Sequence, residues 1–157
     1  MAIDDATFKL AMSHFASGVT VVTTEHEGKQ YGMTVASFAS LSLHPPLVLV
    51  CIEKSVKTHD AIAAARKFGV SILAMDQAEI STHFASRRDD KFAGVDVQRG
   101  PHGVPLIAGA LTTLECRLHG QVPGGDHSIF IGEVTDVQTR EGVPLVYFRS
   151  AYHEMRT

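Results

Sequence analysis

The spacing of apolar and polar residues along the chain predicts a mainly β protein with short helices. Near the start, a helix is predicted over residues 4–16, and its apolar residues recur at helical spacing to form one face: Phe8, Ala11, Met12 and Phe15. Asp4 or Asp5 can cap this helix, because short acidic side chains accept hydrogen bonds from the first free N–H groups. Gly18 suits its end.

Two strands are predicted next, joined by a tight turn. Residues 19–24 are rich in β-branched side chains, and residues 26–29 form a plausible hairpin turn into a strand that begins near Gln30. The pair Pro45-Pro46 ends that strand. Residues 47–52 are then wholly apolar without alternation, which predicts a strand buried on both faces.

Two further helices are predicted from their first residues. Thr58 can cap a short helix over residues 59–67. Asp76, with Glu79 three residues later, resembles a capping box at the start of a helix that runs to about residue 86.

The remaining sequence predicts a long surface loop and more strands. Residues 87–105 are rich in charge, Gly and Pro, and an irregular segment of this length is more often functional or mobile than idle. The strands are predicted around residues 68–74, 114–118, 129–137 and 145–148. Six or seven strands with hairpin-type turns favour an antiparallel barrel, closed or split, over a doubly wound sheet.

Composition limits the functional classes. The chain has 157 residues, of which 45% are hydrophobic and 20% charged, so we expect residues 1–157 to form one globular domain. A net charge of −3 without a Lys/Arg cluster predicts no nucleic-acid partner. We expect no membrane span and no signal peptide. Cys51 and Cys116 lie in apolar segments and fit reduced thiols, so a cytoplasmic protein is expected.

Several motifs of known chemistry are missing. There is no Gly-x-Gly-x-x-Gly after a strand, no Gly-Lys-Ser/Thr phosphate loop and no Gly-x-Ser-x-Gly. No His-Glu-x-x-His occurs either, so no metal site is predicted. The leading site is instead the strand after Tyr31, which carries an unusual density of short hydroxyl side chains: Thr34, Ser37, Ser40 and Ser42. Such a strand suits a flat ligand with polar edges, although hydroxyls that merely face water are an equally good interpretation of the residues alone.

The chain closely resembles the flavin reductase-like family from about residue 15 to residue 152. Its motifs occur in the family's order: Gly-Val-Thr-Val-Val-Thr, Ser-Leu-x-Pro-Pro-Leu-Val, a Lys-Phe pair in the long loop, Gly-Val-Pro-Leu-Ile-x-Gly-Ala-Leu, and Gly-Asp-His before an Ile-Phe-Ile-Gly-Glu-Val strand. The resemblance implies an FMN-binding split β-barrel of antiparallel Greek-key strands with short helices, normally a homodimer.

The same resemblance implies an NAD(P)H:flavin oxidoreductase of the EC 1.5.1 type. NADH or NADPH would reduce FAD or FMN by hydride transfer, and the reduced flavin would leave for a flavin-dependent monooxygenase. Two alternatives on the same barrel remain open. One is a non-enzymatic flavin-binding or electron-transfer protein, and the other is an FMN-dependent oxidase of a small molecule, which would need a stronger cationic grip on the phosphate than the sequence plainly shows.

The resemblance also implies the ligand-binding residues. Those expected around the flavin lie on the hydroxyl-rich strand, the apolar strand and the loop after it: Met33, Thr34, Val35, Ala36, Ser37, Ser40, Cys51, Ile52, Ser55 and Thr58. Those expected on its phosphate or adenine side are His83, Phe84, Ala85, Arg88 and Lys91. By its residues Cys51 is better interpreted as a small buried apolar side chain than as a redox group, and Ser55 and Thr58 could hold a phosphate at the following helix N-terminus.

The hydride donor is assigned to a different part of the chain. On its residues alone, Gly124-Gly125-Asp126-His127 is a hairpin turn. The resemblance implies that His127 positions NADH by fixing its carboxamide, while hydride transfer is the chemistry of the cofactors themselves. It also implies that Tyr152 lies close to the nicotinamide pocket.

Overall fold

The computed structural model describes residues 1–157 and consists mainly of antiparallel strands. Its helices are α1 (Asp5–Ser13), α2 (Lys57–Ala65) and α3 (Ala78–Ala85), and a 3₁₀ turn (Met75–Gln77) precedes α3. The strands before α2 are β1 (Ser17–Gly18), β2 (Thr20–His26), β3 (Lys29–Val35), β4 (Phe38–Ser42) and β5 (Leu47–Glu53). Those after it are β6 (Lys67–Ile72), β7 (Val97–Arg99), β8 (Pro105–Ile107), β9 (Thr112–Gly124), β10 (His127–Thr139), β11 (Val146–Phe148) and β12 (Ala151–His153).

Seven strands form one antiparallel sheet that folds round into a split barrel. Their order is β3-β2-β6-β9-β10-β5-β4, so the two edge strands, β3 and β4, follow each other in the chain. Only Ala36 and Ser37 separate them, and the carbonyl oxygen of Ser37 accepts the N–H of Cys51 on β5 at 3.1 Å. The edges therefore approach each other at this corner, and the predicted split-barrel fold is confirmed.

The barrel interior holds the main hydrophobic core. It draws side chains from β2, β5, β6, β9 and β10, and Ile62 of α2 belongs to the same cluster. Phe68, Phe130 and Ile62 are all fully buried there. A second, smaller core contains Phe84 of α3 together with Val21 of β2. Burial of Phe84 therefore holds the end of α3 near the sheet, where the site described below is found.

The hydroxyl-rich segment is two strands rather than the single one predicted. β3 ends at Val35 and β4 begins at Phe38, because the chain has to turn the barrel corner between them. The two strands lie at opposite edges of the sheet, so Thr34 and Ser40 are on different walls of the barrel. The expected continuous row of hydroxyls is therefore divided.

The prediction that β5 is buried on both faces is also wrong for the single chain. Val48, Val50 and Ile52 are buried, whereas Leu47, Leu49 and Cys51 alternate with them and are only half-buried. The second set faces away from the barrel interior, where this chain places no further layer. The apolar sequence of β5 therefore corresponds to a buried inner face and a half-buried, apolar outer face.

The cap predicted for α2 is wrong. The helix begins at Lys57, its N-cap position is Val56, and no side chain caps it. Thr58 lies inside the first turn and is only 5% exposed. The first N–H groups of α2 are therefore left without the side-chain acceptor that the sequence suggested.

The region around α3 differs from the prediction in two details. The side chain of Gln77 accepts the N–H of Ala74 at 2.9 Å, so the start of this region does not rely on the predicted pair Asp76 and Glu79. The long loop over residues 87–105 also contains β7, which pairs with β8 as a small hairpin. The sequence did not predict this short strand pair, because the high content of charged, Gly and Pro residues is typical of a loop.

The first helix is present, but its apolar face is not covered within the chain. Asp4 caps α1 as predicted and accepts the N–H of Thr7 at 2.8 Å. No residue of α1 is buried, and Phe8 and Phe15 are 57% and 80% exposed. The periodicity therefore predicted the helix but not its end, which lies at Ser13 and leaves Phe15 outside, and it did not show what the apolar face packs against.

Candidate functional site

A cleft of about 670 Å³ opens between three segments of the chain. Residues 29–34 of β3 form the first wall, the junction of β5 and α2 within residues 53–58 forms the second, and residues within 84–92 form the third. β3 is an edge strand with β2 as its only neighbour, so its other edge is open toward the cleft. An open strand edge presents unpaired N–H and C=O groups that a ligand can use.

Lys91 joins the third wall to the first. Its Nζ donates to the carbonyl oxygens of Gly32 and Phe84, each at 3.0 Å. His83 supports this position from behind, because its Nε2 donates to the Lys91 carbonyl oxygen at 2.6 Å. Partial burial lowers the pKa of Lys91. This side chain thus both organises the cleft and places positive charge beside it.

Two aromatic rings pack beside β3; the half-buried Phe92 presents apolar surface to the cleft, and the fully buried Phe84 supports it. Phe84 and Phe92 meet edge to face with their centroids 5.2 Å apart. Gly32 allows this approach, because a Cβ built there would lie 2.9 Å from Phe84 and 3.1 Å from Phe92. The glycine is thus needed for close packing of the strand against both rings.

The second wall contains the start of α2. The absence of a side-chain cap at Val56 leaves backbone N–H groups available in the first turn of this nine-residue helix. Helix N-termini favour anions through these groups and the helix dipole. Ser55 donates its hydroxyl to Glu53 at 2.8 Å, and Thr58 is buried beside it. The wall therefore offers backbone donors more readily than hydroxyls.

Positive charge dominates the lining of the cleft. Its basic residues outnumber the acidic pair Glu53 and Asp89, and they are Lys29, Lys57, Arg87, Arg88 and Lys91. Lys57 forms an ion pair with Asp89 at 3.1 Å, and Arg88 forms one with Asp90 at 3.2 Å. This balance suits an anionic ligand, and its strength was not evident in the sequence because the cations come from three separate segments.

His127 stands at the border of the second wall. It begins β10 opposite Glu53, the last residue of β5. Its Nδ1 lies 2.7 Å from a carboxylate oxygen of Asp126, and this hydrogen bond lowers the pKa of Asp126. The His127 side chain is 42% exposed. It is therefore held by Asp126 while a large part of the ring remains accessible.

The structure brings eight of the predicted ligand-binding residues together in the cleft lining: Met33, Thr34, Ser55, Thr58, Phe84, Ala85, Arg88 and Lys91. The Thr34 hydroxyl already donates to the carbonyl oxygen of Ser81 at 2.5 Å. Thr34 thus helps to fix α3 against β3, and what it offers a ligand is mainly its backbone.

The other predicted residues do not line the cleft. Two lie in the barrel core, Val35 and Ile52. Four lie at the corner, on β4 or on the outer face of β5: Ala36, Ser37, Ser40 and Cys51. The Ser37 hydroxyl donates to the Cys51 carbonyl oxygen at 3.0 Å, which is a structural use. His83 lies behind Lys91. The Tyr152 hydroxyl lies 2.6 Å from the Ser81 hydroxyl, and the Ser81 carbonyl oxygen accepts the Thr34 hydroxyl, so two hydrogen bonds link Tyr152 to Thr34.

Sequence reasoning missed most of the charged and apolar lining residues: Lys29, Gln30, Tyr31, Gly32, Glu53, Val56, Lys57, Ser86, Arg87, Asp89 and Phe92. The hairpin turn at residues 26–29 indicates that a strand begins near Lys29. An edge strand can contribute consecutive residues to an adjacent cleft, so this turn could have pointed to residues 29–32. Nothing in the sequence, however, showed that β3 is an edge strand.

The arrangement of side chains and helices also bears on metal and membrane binding. No group of three or more His, Cys, Asp or Glu side chains is arranged to hold a metal ion. None of the helices has the length and apolar character required to cross a membrane.

Comparison with known proteins identifies close relatives. The family described as "Flavin reductase like domain" matches residues 12–156. The reductase component of a Rhodococcus opacus 4-nitrophenol 4-monooxygenase/4-nitrocatechol 2-monooxygenase is 45% identical over 150 residues, covering 96% of this chain and 80% of the relative. The reductase component of a Thermus thermophilus 4-hydroxyphenylacetate 3-monooxygenase is 42% identical, with 94% and 95% covered. Among solved structures, a Streptomyces globisporus NADH:FAD oxidoreductase in complex with NAD and FAD fragments has a TM-score of 0.93 at 37% identity, covering 99% of this chain and 97% of the other.

Proposed function

This chain belongs to the flavin reductase-like family, and we propose that its cleft binds FAD or FMN for reduction by NADH, or by NADPH. It is the reductase component of a two-component monooxygenase system, and the reduced flavin passes to a separate flavin-dependent monooxygenase. Flavin and nicotinamide together supply hydride transfer to the flavin ring, so the protein contributes binding and orientation. The single observation that carries the proposal is the cationic cleft along the open edge of β3.

The residues of the cleft fit a flavin nucleotide. Backbone groups on the open edge of β3 suit the polar edge of the ring, where charge accumulates on reduction, because fixed donors stabilise developing charge without having to reorient. Phe92 supplies apolar surface, and the buried Phe84 packs against it. Lys57 and the uncapped start of α2 suit the phosphate, with Ser55 and Thr58 beside them. A site of this kind binds its ligand without a dedicated nucleotide-binding fold. This suits an enzyme that passes its flavin to another protein.

His127 is the residue that we assign to NADH. It lies beside the second wall, is held by Asp126 and remains accessible. An imidazole in this place can hydrogen-bond the carboxamide and hold the nicotinamide against the flavin at the short separation that transfer requires. Tyr152 is placed more remotely, and we propose that it acts through Ser81 and Thr34 on the shape of the first wall.

One assay tests the function. Purified protein is mixed with NADH and either FAD or FMN, and NADH absorbance is followed. We expect flavin-dependent oxidation, with an EC 1.5.1-type reaction in which free flavin is the acceptor. NADH oxidation that requires a small-molecule substrate and tightly retained FMN would favour the oxidase alternative, for which the cationic cleft also provides a phosphate grip. Tight flavin retention without turnover would favour the electron-transfer alternative.

We also infer the domain organisation, the cellular location and the metal requirement of the enzyme. Residues 1–157 act as a single flavin reductase-like domain, which the single continuous barrel sheet supports. The enzyme works in the cytoplasm, which the two free cysteines support. The reaction uses no metal ion, since hydride transfer needs none.

We also propose a homodimer, and its support is the outer face of the barrel sheet. The half-buried side chains of β5 continue across β10, because Cys51 pairs with Ile129 and Leu49 pairs with Ile131. Val122 of β9 extends this apolar surface and is 45% exposed. A contiguous apolar sheet face of this kind is typical of an interaction surface. A second copy of the chain is the partner that we assign to it.

The oligomeric state can be measured directly by light scattering after size exclusion. We expect twice the chain mass for the unmodified protein and a shift toward the monomer for Ile131→Glu, because a charge at the centre of an apolar interface is costly to bury. Gln98→Glu, an exposed position on β7 outside this face, is the matched control. A monomeric unmodified protein would overturn the proposed dimer.

A further inference from the structure

An ion pair connects two walls of the cleft. Lys57, the first residue of α2, donates from Nζ to Oδ1 of Asp89 at 3.1 Å. Asp89 lies in the segment that follows α3, and both residues line the cleft. The pair therefore bridges the second and third walls at the cleft itself.

The Lys57–Asp89 ion pair adds little to the stability of the fold. The side chains of Lys57 and Asp89 are 71% and 84% exposed, and exposed ion pairs of this kind contribute little to folding. The third wall already has a stronger anchor in Lys91, whose ammonium is bonded to two backbone carbonyls. The cation of Lys57 is thus available for another partner at small cost.

The position of Lys57 favours an anion. It stands at the start of α2, where no side chain caps the helix and the backbone N–H groups favour negative charge. The Asp89 carboxylate is the negative group that occupies this place in the structure, and its hydrogen bond with Lys57 lowers the pKa of Asp89. Its neighbour Asp90 has the same relation to Arg88, another lining residue.

We propose that Asp89 is an internal competitor of the flavin phosphate: its carboxylate takes the Lys57 ammonium that the phosphate would otherwise hold, and so weakens binding and speeds release of the flavin. This inference rests on the proposed function, because it assumes that the cleft receives a flavin nucleotide. On binding, the phosphate replaces Asp89 at Lys57, and on departure Asp89 takes Lys57 back. The exchange suits an enzyme that has to give its reduced flavin to another protein.

The experiment compares dissociation constants for FMN and riboflavin, measured by quenching of flavin fluorescence. Asp89→Asn removes the competing charge at a largely exposed position. We expect FMN to bind about two- to fivefold more tightly, the size of an exposed ion pair. Riboflavin affinity is expected to stay unchanged, because riboflavin carries no phosphate.

Two further variants test whether the gain in FMN affinity comes from release of the Lys57 ammonium. In a Lys57→Met background, Asp89→Asn should give no gain, since the contested cation is absent. Asp96→Asn removes an equal charge from the same long segment outside the cleft, and should leave both dissociation constants unchanged. An equal gain for riboflavin, an equal gain in the Lys57→Met background, or unchanged FMN affinity would each overturn the competition. Failure of the unmodified protein to bind any flavin would instead contradict the proposed function, and this inference with it.

Discussion

The backbone N–H of Lys54 donates to the carbonyl oxygen of Asp126 at 2.9 Å, which ties the end of β5 to the turn that precedes His127. These residues are far apart in sequence, yet the bond makes the second wall of the cleft and the His127 turn one unit. His127 faces Glu53 across the same strand pair. A change in the position of residues 53–58 would therefore move the proposed nicotinamide contact as well.

Replacement of His127 by Ala should affect NADH and spare the flavin. The ring contacts Asp126 and does not line the cleft. We expect the KM for NADH to rise roughly tenfold, as for loss of one hydrogen bond to a charged or strongly polar group, with kcat changed less and the flavin dissociation constant unchanged. Steady-state kinetics and flavin titration measure the two effects separately.

A matched control is His119→Ala, an exposed histidine on β9 outside the cleft. It should leave both constants unaltered. Unchanged NADH kinetics in the His127 variant would remove His127 from the site, whereas a parallel loss of flavin affinity would show that the side chain supports the second wall.

Local patterns predicted those parts of the fold that depend on local chemistry. Gly28 and Gly125 both have positive φ in hairpin turns that were predicted from their residues. The partnership of Lys57 with Asp89 could not be predicted, because 32 residues separate them and exposed charges carry no periodicity. The open edge of β3 depends on the strand order of the whole sheet, so the sequence placed Thr34 at the site without showing why.

Lys91 should matter for both stability and binding. Lys91→Met removes the donor of two hydrogen bonds, to Gly32 and Phe84, and leaves both carbonyls partly buried. We expect a loss of about 1–3 kcal/mol in the free energy of unfolding, together with weaker flavin binding. Urea unfolding and flavin titration test this, with Lys29→Gln as the control because it removes a lining cation that makes no such anchor. Equal effects of both variants on stability would contradict the anchoring role.

Glu115 should make the protein less stable as pH rises. The residue is 1% exposed, and its carboxylate accepts the N–H of His102 at 2.9 Å. Burial raises its pKa above the ordinary 4.5, so the folded state holds this proton more tightly than the unfolded state. The Glu115 contribution is therefore fully present below pH 4.5 and is lost as pH rises through the folded pKa.

Glu115→Gln isolates that contribution, because the amide keeps an oxygen acceptor and carries no charge. The difference in unfolding free energy, variant minus unmodified protein, should increase with pH across this window. Urea titrations at several pH values measure it, with exposed Glu141→Gln as the control. A difference that is constant with pH would show that burial of the Glu115 charge costs the fold nothing.

The two thiols should differ in reactivity. Cys116 is 2% exposed, and burial, with the nearby Glu115, raises its pKa to about 12. It should resist a disulfide reagent at pH near 8 while the protein is folded, since the thiolate is the reactive form. Cys51 lies on the outer sheet face and should react readily only where the proposed dimer is broken, as in Ile131→Glu. Cys51→Ala assigns the reacting thiol, and rapid labelling of Cys116 in the folded protein would contradict its burial.

Substitutions at two closely packed glycines should distinguish effects on stability from effects on flavin binding. A Cβ at Gly132 would lie 2.5 Å from Phe68 in the barrel core, and one at Gly32 would lie 2.9 Å from Phe84 at the cleft. Both Gly→Ala variants should lose about 1–3 kcal/mol of stability through overpacking.

Only Gly32→Ala should also weaken flavin binding, because relief of its clash moves Phe84 and Phe92, whereas the clash at Gly132 is relieved inside the barrel. Thermal unfolding gives the first quantity and flavin titration the second. If Gly132→Ala weakened flavin binding as much as Gly32→Ala at equal stability loss, the cleft would depend on overall stability and the flavin would not contact the wall formed by β3 and the two rings. A loss confined to Gly32→Ala would place the ring of the flavin against that wall.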